Sequence, residues 1–269
     1  MILESIFIVR GGFWGEEYDF KLLFAVVAIT ICIVDWKWKD RKDYFWVLLT
    51  GFIFWSSVEL LLQLIGVRDM PNRYLFGITI PIWLSIPLQG MSEGVAVGIM
   101  GIFITDLYIE KETRKYSVLT LIIVLILITL IMFSHGIYVP DVGGDVPSRR
   151  DVFPLWELLI IVLATPAIYW FIKTDKKSRK RGFYMFFTMF VLGCAWYLVY
   201  WLSGQRWVEI GIKNIDGTYS NLRRAIPIVE LLVAVFNAFV EIALIYMPFL
   251  AIPYLLGLIK PTNATNGNS

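Results

Sequence analysis

The sequence predicts an all-α polytopic membrane protein: a bundle of seven transmembrane helices with its N-terminus outside and its C-terminus in the cytoplasm. The chain of 269 residues is 58% hydrophobic and 16% aromatic, with a mean hydropathy of +0.70. That is more apolar than one soluble core can hide. Runs of about 20 apolar residues, the length that crosses a hydrocarbon core about 30 Å thick, recur along the chain. Short basic connections between some of these runs set the orientation.

Seven apolar runs mark the predicted spans. The third run is long enough for one tilted helix or for two short helices that turn at LQG (88–90), since Pro81 and Pro87 lie within it. After the last run, residues 261–269 are small and polar, and we expect a disordered tail. The predicted spans cover residues 20–36, 44–67, 74–108, 116–138, 154–172, 183–203 and 226–259.

Positive charge favours a single helix in the third run. More than half of the 24 Lys and Arg residues lie at Lys260 and in three short connections: KWKDRK (37–42), EKETRK (110–115) and KTDKKSRKRG (173–182). One helix over 74–108 places these connections on the same side of the membrane, which the positive-inside rule makes cytoplasmic. Two helices would carry the most basic connection across the membrane. We therefore expect a multi-pass protein of the cell membrane.

The connections on the outer side are longer and less basic. Residues 140–154 are rich in Gly, Pro and Asp and are expected to be irregular, whereas residues 207–222 alternate about NIDG as a hairpin does. The apolar patch at the N-terminus is not followed by a small-residue cleavage site, so the first span is expected to serve as its own anchor.

Acidic residues inside the predicted spans are the strongest functional signal. A charged carboxylate at the bilayer centre costs about 3 kcal/mol on insertion scales, so it needs a proton, a partner or water. Asp106 and Glu157 lie near span ends, where interfacial water accounts for them. Four acids lie deeper, and we expect catalytic roles as acid or base for Glu59, Glu93, Glu230 and Glu241.

Three predicted spans each carry a narrow polar stripe at helical spacing. The stripes consist of Ser56, Glu59 and Gln63; of Ser85, Gln89, Ser92 and Glu93; and of Glu230, Asn237 and Glu241. Such stripes should face one another around one interior site that opens outward. Arg223 and Arg224 at its mouth are expected to pair with Glu230. The predicted substrate-binding residues are Gln63, Gln89, Asn237 and His135.

Small residues also follow a helical spacing in the third span. Gly90, Gly94 and Gly98 form a seam that lets a neighbouring helix approach closely, and such a seam could join two copies of the chain. An alternative role for the polar residues stays open at this stage. They could act only as links between helices, at about 0.6 kcal/mol each.

Several classes of site are disfavoured. Cys32 and Cys194 lie in apolar runs and His135 is the only histidine, so no metal ligand set is expected. The last span contains no lysine, which excludes retinal held as a Schiff base, and no other cofactor is expected. A net charge of +2 gives no argument for nucleic acid. The expected partners are membrane lipids and a lipophilic small molecule or a coupled ion.

The deep carboxylates favour an intramembrane enzyme that applies acid–base chemistry to a lipid or isoprenoid substrate. A proton- or cation-coupled carrier for a small solute would use the same groups. A third alternative is a seven-helix sensor or interaction protein without retinal, whose basic connections bind anionic lipid. Small integral-membrane terpene cyclases are similar in size and in placing acids on the second and last helices. No local motif is shared with them, so no family is assigned.

Overall fold

The computed structural model describes residues 4–10, 16–65, 73–138 and 148–260. Within these residues seven helices form one bundle, and short strands lie at one of its ends. The predicted tail over 261–269 lies outside the described residues. The helices are α1 (Asp19–Lys39), α2 (Asp43–Leu64), α3 (Ile82–Ile109), α4 (Arg114–Tyr138), α5 (Leu155–Lys173), α6 (Lys176–Leu202) and α7 (Pro227–Leu255).

Four of these helices, α2, α3, α6 and α7, are long and apolar enough to cross a membrane. Their surfaces carry large apolar side chains that a soluble protein would cover: Ile53 is 60% exposed and Leu232 is 61% exposed. Lipid tails solvate such surfaces well, whereas water does not. The chain therefore has the character of a helical membrane protein.

Two small sheets accompany the bundle, although the sequence predicted only one hairpin. The strands are β1 (Ser5–Arg10), β2 (Glu16–Glu17), β3 (Arg73–Leu75), β4 (Ile78–Thr79), β5 (Ser148–Asp151), β6 (Arg206–Lys213) and β7 (Tyr219–Arg224). One sheet has the antiparallel order β5-β1-β6-β7, and the other has the order β2-β3-β4. The predicted hairpin is confirmed as β6 and β7, with Asn214 N–H donating to Thr218 O across its turn. The expectation of an all-α chain was therefore incomplete.

The third helix is shorter than the predicted span. Helix α3 begins after Pro81, so the prediction of a span that starts at residue 74 is wrong. The preceding residues form the β3–β4 hairpin, in which Phe76 and Gly77 have φ angles of 51° and 74°. Positive φ at both central residues is what a two-residue type I′ turn requires. The alternative of two short helices turning at 88–90 is also wrong, because α3 runs through these residues without a break.

All the described strands lie at one end of the bundle. Strand β1 precedes α1 and pairs with strands from the α4–α5 and α6–α7 connections, which brings these three segments together. The basic connections 37–42, 110–115 and 173–182 lie at the opposite end, where Arg181 contacts Asp43 and Asp106. We call these two ends the strand end and the basic end.

The glycine seam of α3 packs inside the chain. A Cβ atom at Gly90 would lie 2.7 Å from the backbone nitrogen of Ser56, and one at Gly94 would lie 2.1 Å from Cγ of Trp55. At Gly98 the nearest atom would be Cε1 of Phe249, at 2.4 Å. Helices α2 and α7 of the same chain thus occupy the seam. These glycines are therefore already covered within the chain, and a contact between two copies would have to use a different surface.

The larger sheet packs directly on the helices at the strand end. Ile8 of β1 and Val208 of β6 form a buried apolar cluster with Val233 of α7. The neighbouring residues Phe7 and Val9 are 0% exposed. The sheet therefore covers the ends of α6 and α7, where the candidate site lies.

Candidate functional site

The acids that lie farthest from the ends of α3 and α7 are both in π-helical segments. Glu93 belongs to the segment Gly90–Ala96, and Glu241 belongs to Ala238–Leu244. A π-helical turn replaces the normal i→i−4 hydrogen bond with a longer i→i−5 bond, is rare, and often occurs at a functional site. These two irregular turns place a carboxylate in each helix away from its ends.

One group of predicted residues lies between α1, α2 and α3. Nζ of Lys21 donates to Oε1 of Gln89 and lies 3.4 Å from Oε1 of Glu93. Nε2 of Gln63 donates to Oε1 of Glu59 over 2.7 Å. Glu59 and Gln89 are buried, whereas 38% of the Glu93 side chain is exposed. In the described part of the chain, four buried atoms near these residues have no hydrogen-bond partner: Trp55 Nε1, Ser56 Oγ, Gln63 Oε1 and Gln89 Nε2.

A second group is centred on Glu241. Its carboxylate accepts hydrogen bonds from Nη2 of Arg150 over 2.5 Å and from the hydroxyl of Tyr197 over 2.9 Å. The carboxyl group of Glu157 on α5 lies beside that of Glu241. Neighbouring carboxyl groups are an arrangement that acid–base sites use to exchange a proton. Glu157 and Glu241 therefore form a carboxyl pair next to Arg150.

Arg150 supplies the positive charge of this group from strand β5. Burial disfavours the charged guanidinium, but Glu241, Tyr197 and Glu157 together outweigh this effect. The pKa of Arg150 is accordingly raised above its ordinary value. The guanidinium therefore stays charged beside the carboxyl pair.

Glu230 lies in the first turn of α7 and is also paired. It accepts hydrogen bonds from Nε1 of Trp201 and, over 2.9 Å, from Nε of Arg224. The predicted pairing of Glu230 with Arg224 is confirmed, whereas Arg223 forms a 2.7 Å ion pair with Glu4. The hydrogen bond from Arg223 holds the pKa of the Glu4 carboxyl below its usual value.

A cavity of about 210 Å³ lies between α6 and α7, beneath β1 and β6. Most of its wall is apolar, and Ile8 of the sheet forms part of its cover. Leu198 and Leu231 line it and are 46% and 53% exposed, so the cavity opens between the two helices toward the surrounding lipid. Its lining also includes the polar side chains Tyr197, Arg206, Glu230 and Asn237.

Asn237 is the most deeply buried polar residue of this cavity. Its side chain is 0% exposed, and within the described residues neither Oδ1 nor Nδ2 has a hydrogen-bond partner. A buried donor or acceptor left without a partner costs about 1–3 kcal/mol. A ligand group that both donates and accepts a hydrogen bond would remove that cost.

The contacts divide the predicted site residues into two groups. Glu59, Gln63, Gln89 and Glu93 lie on α2 and α3, whereas Glu230, Asn237 and Glu241 lie on α7. The expectation that all the acids line one cavity is not met. Glu230 lines the cavity between α6 and α7, whereas Glu93 lies beside Lys21 of α1 and Glu241 lies beside Arg150 of β5. His135 lies on α4, but its side chain is outside the described part of the structure.

Sequence reasoning missed two members of the α7 group, Glu157 and Arg150. Glu157 was assigned to interfacial water but is only 4% exposed and lies beside Glu241. Asp106 at the basic end was assigned to interfacial water as well, but it is 7% exposed and pairs with Arg181. Arg150 is separated from Glu241 by 91 positions in the sequence. No periodicity connects such distant residues, since their contact depends on how β5 folds over the bundle. One feature of the sequence pointed to this contact: the acidic residue Glu157 in the apolar run that forms α5.

A separate buried network closes the basic end. Arg181 donates to Asp106 through Nε over 2.9 Å and through Nη2 over 2.7 Å. Its Nη1 donates to the hydroxyl of Tyr254 over 2.8 Å and to Asp43 over 3.2 Å. The hydroxyl of Tyr44 donates to Asp106 over 2.9 Å. These contacts join α2, α3, α6 and α7 at the end opposite the cavity.

Comparison of the chain with protein-family models, curated proteins and solved structures gives no match. The function must therefore be inferred from the geometry of the site.

Proposed function

We propose that the chain crosses the cell membrane seven times, with its strand end outside and its basic end in the cytoplasm. The three helices beyond the four apolar ones support this, since α1, α4 and α5 have 21, 25 and 19 residues. The placement of the basic connections at one end agrees with the positive-inside rule. In this orientation the α6–α7 cavity lies in the outer half of the membrane.

We infer that the protein is an intramembrane enzyme that applies acid–base chemistry to a lipid or isoprenoid. The observation that carries this proposal is the hydrogen bond from the Tyr197 hydroxyl to Glu241, which lies beside Glu157. Tyr197 lines the lipid-facing cavity, so this hydrogen bond connects a lipophilic binding site to a pair of carboxyl groups suited to proton exchange. A positioned acid or base of this kind contributes about 10²- to 10⁴-fold to a rate.

Each residue of the α7 group has a role in this proposal. Asn237 would orient a polar group of the substrate, and the Glu157–Glu241 pair would supply or accept a proton through Tyr197. Arg150 would hold the pair in place and balance its charge. Glu230, held by Arg224, would shape the outer wall of the cavity.

Product analysis tests the enzyme. Lipid extracts from cells that make the protein should contain a product that is absent without it. Glu241→Gln and Tyr197→Phe should each reduce that product at least about 100-fold, because they break the proton path. Glu112→Gln, at an exposed position of the basic end, should leave it unchanged. Identical lipid profiles with and without the protein would contradict the proposal.

A proton- or cation-coupled carrier is the second candidate. It is favoured by the partly exposed Glu93, which lies in a π-helical segment beside Lys21, the donor to Gln89. In that case Glu93→Gln would abolish proton-coupled flux into reconstituted vesicles while the lipid profile of the host stayed the same.

A further inference from the structure

Arg206 lies at the start of β6, where the cavity meets the strand end. Its guanidinium carbon lies 4.5 Å from the ring centroid of Tyr200 and 5.0 Å from that of Tyr197. Its Nε is buried and has no hydrogen-bond partner within the described residues. The guanidinium thus lies against two aromatic rings where the cavity meets the strand end.

Four other arginines of this sheet have side chains that the structure describes, and they differ from Arg206 in their partners. Each of the four forms an ion pair with a carboxylate: Arg149 with Glu209, Arg150 with Glu241, Arg223 with Glu4, and Arg224 with Glu230. In the described part of the chain, no carboxylate pairs with Arg206. Glu230 lines the same cavity, but Arg224 balances its charge at 2.9 Å. A stacked guanidinium without a counter-ion is suited to a carboxylate or phosphate group.

The second unsatisfied polar group lies deeper in the same cavity. Asn237 comes seven residues after Glu230 on α7, which is a separation of about 10 Å along the helix. The side chains of Leu198, Leu231 and Val233 line the cavity together with these two residues. The cavity therefore offers a charged donor at its mouth, an amide at its inner end and apolar surface between them.

We propose that this cavity binds a single-chain amphiphile whose anionic head group, a carboxylate or a phosphate, lies on Arg206. A hydroxyl group farther along the chain of the same molecule donates to and accepts from the amide of Asn237. This inference rests on the proposed function in taking the cavity as the substrate site, and it adds the chemical class of the substrate.

Direct binding to the purified protein in nanodiscs tests this assignment without requiring turnover. The probes are decanoate, decyl phosphate, decanol, and decanoate with a terminal hydroxyl, measured by quenching of tryptophan fluorescence against empty nanodiscs. Trp201 and Trp207 line the cavity and provide the signal. We expect at least one of the two anions to bind about tenfold more tightly than decanol. The preferred anion identifies the head group, and the terminal hydroxyl should tighten binding of decanoate further, by about fivefold.

Two variants and a matched control separate the two contacts. Arg206→Gln should remove the preference for anions, and Asn237→Leu should remove the gain from the terminal hydroxyl while keeping the anion preference. Arg223→Gln changes an exposed arginine of the same sheet and should change neither. Equal binding of decanol and both anions by the unaltered protein would overturn the assignment, whatever the variants do. Anion binding without any lipid product would instead leave the assignment standing and contradict the enzyme.

Discussion

Arg181 shows how a single buried charge holds the basic end together. It is 7% exposed and contacts Asp106, Asp43 and Tyr254, which lie on three other helices. A buried pair of charges is a weak source of net stability, because both charges lose their hydration. Removal of one partner is nevertheless costly, because the other charge stays buried alone.

We expect Arg181→Met to lower the free energy of unfolding by about 3 kcal/mol, because Asp106 would lose the cation that donates two hydrogen bonds to it and would keep only Arg41, at 3.8 Å. Denaturant titration of the purified protein in detergent measures this change. Lys177→Met, which removes an exposed cation one turn earlier on the same helix, should change stability by no more than about 0.5 kcal/mol. Equal effects of the two substitutions would show that the network does not stabilise the bundle.

Among individual residues, helical spacing located acids correctly but not their partners. The stripe of Glu230, Asn237 and Glu241 could be found from the sequence because 3.6-residue periodicity fixes a helix face. The cations near Glu93 and Glu241 could not, since Lys21 and Arg150 belong to other elements. Asp106 was placed near the basic end correctly, but its burial depends on Arg181, a residue 75 positions away.

Helices α2 and α3 approach one another through glycines, and this contact sets the position of the π-helical segment that carries Glu93. Gly94 lies against the indole ring of Trp55. The nearest ring atom is Cγ, which is bonded to Cβ, so it can give way only if the whole side chain moves. Gly101 lies one and a half turns from the end of that segment and faces the sulfur of Met189 instead. Methionine is flexible and can give way. The same substitution should therefore have different effects at the two positions.

Gly94→Ala should lower the free energy of unfolding by about 1–3 kcal/mol, because the added methyl group would overlap Trp55. Gly101→Ala should be neutral or slightly stabilising, since alanine favours a helix by about 1 kcal/mol over glycine. Thermal or denaturant unfolding of both variants in detergent provides the comparison. A larger loss at Gly101 than at Gly94 would contradict the packing described for α2 and α3.

The complete bundle has two unlike ends, and its orientation in the membrane can be measured. The hairpin tip carries the fully exposed Ile215, and the basic end carries the exposed Lys111. Because basic connections are retained in the cytoplasm, these two positions should lie on opposite sides of the membrane.

We expect Ile215→Cys to react with a membrane-impermeant maleimide on intact cells and Lys111→Cys to react only after lysis. Both substitutions are made in a chain that also carries Cys32→Ser and Cys194→Ser, so that the introduced thiol is the only one. The reverse labelling pattern would invert the proposed topology. Labelling of both positions on intact cells would contradict an odd number of membrane crossings between them.

Hydropathy, charge and helical periodicity were sufficient to place the seven helices, to assign the basic connections to one end and to identify the polar face of α7, although α3 and α6 begin eight and seven residues from their predicted starts. These features are local, because each depends on residues within one or two helical turns. Only the tertiary structure showed the sheet over the strand end, the two separate groups of acids, and the meeting of Arg150 with Glu157 and Glu241. Those contacts join segments far apart in the chain, and their geometry depends on how all the helices pack together.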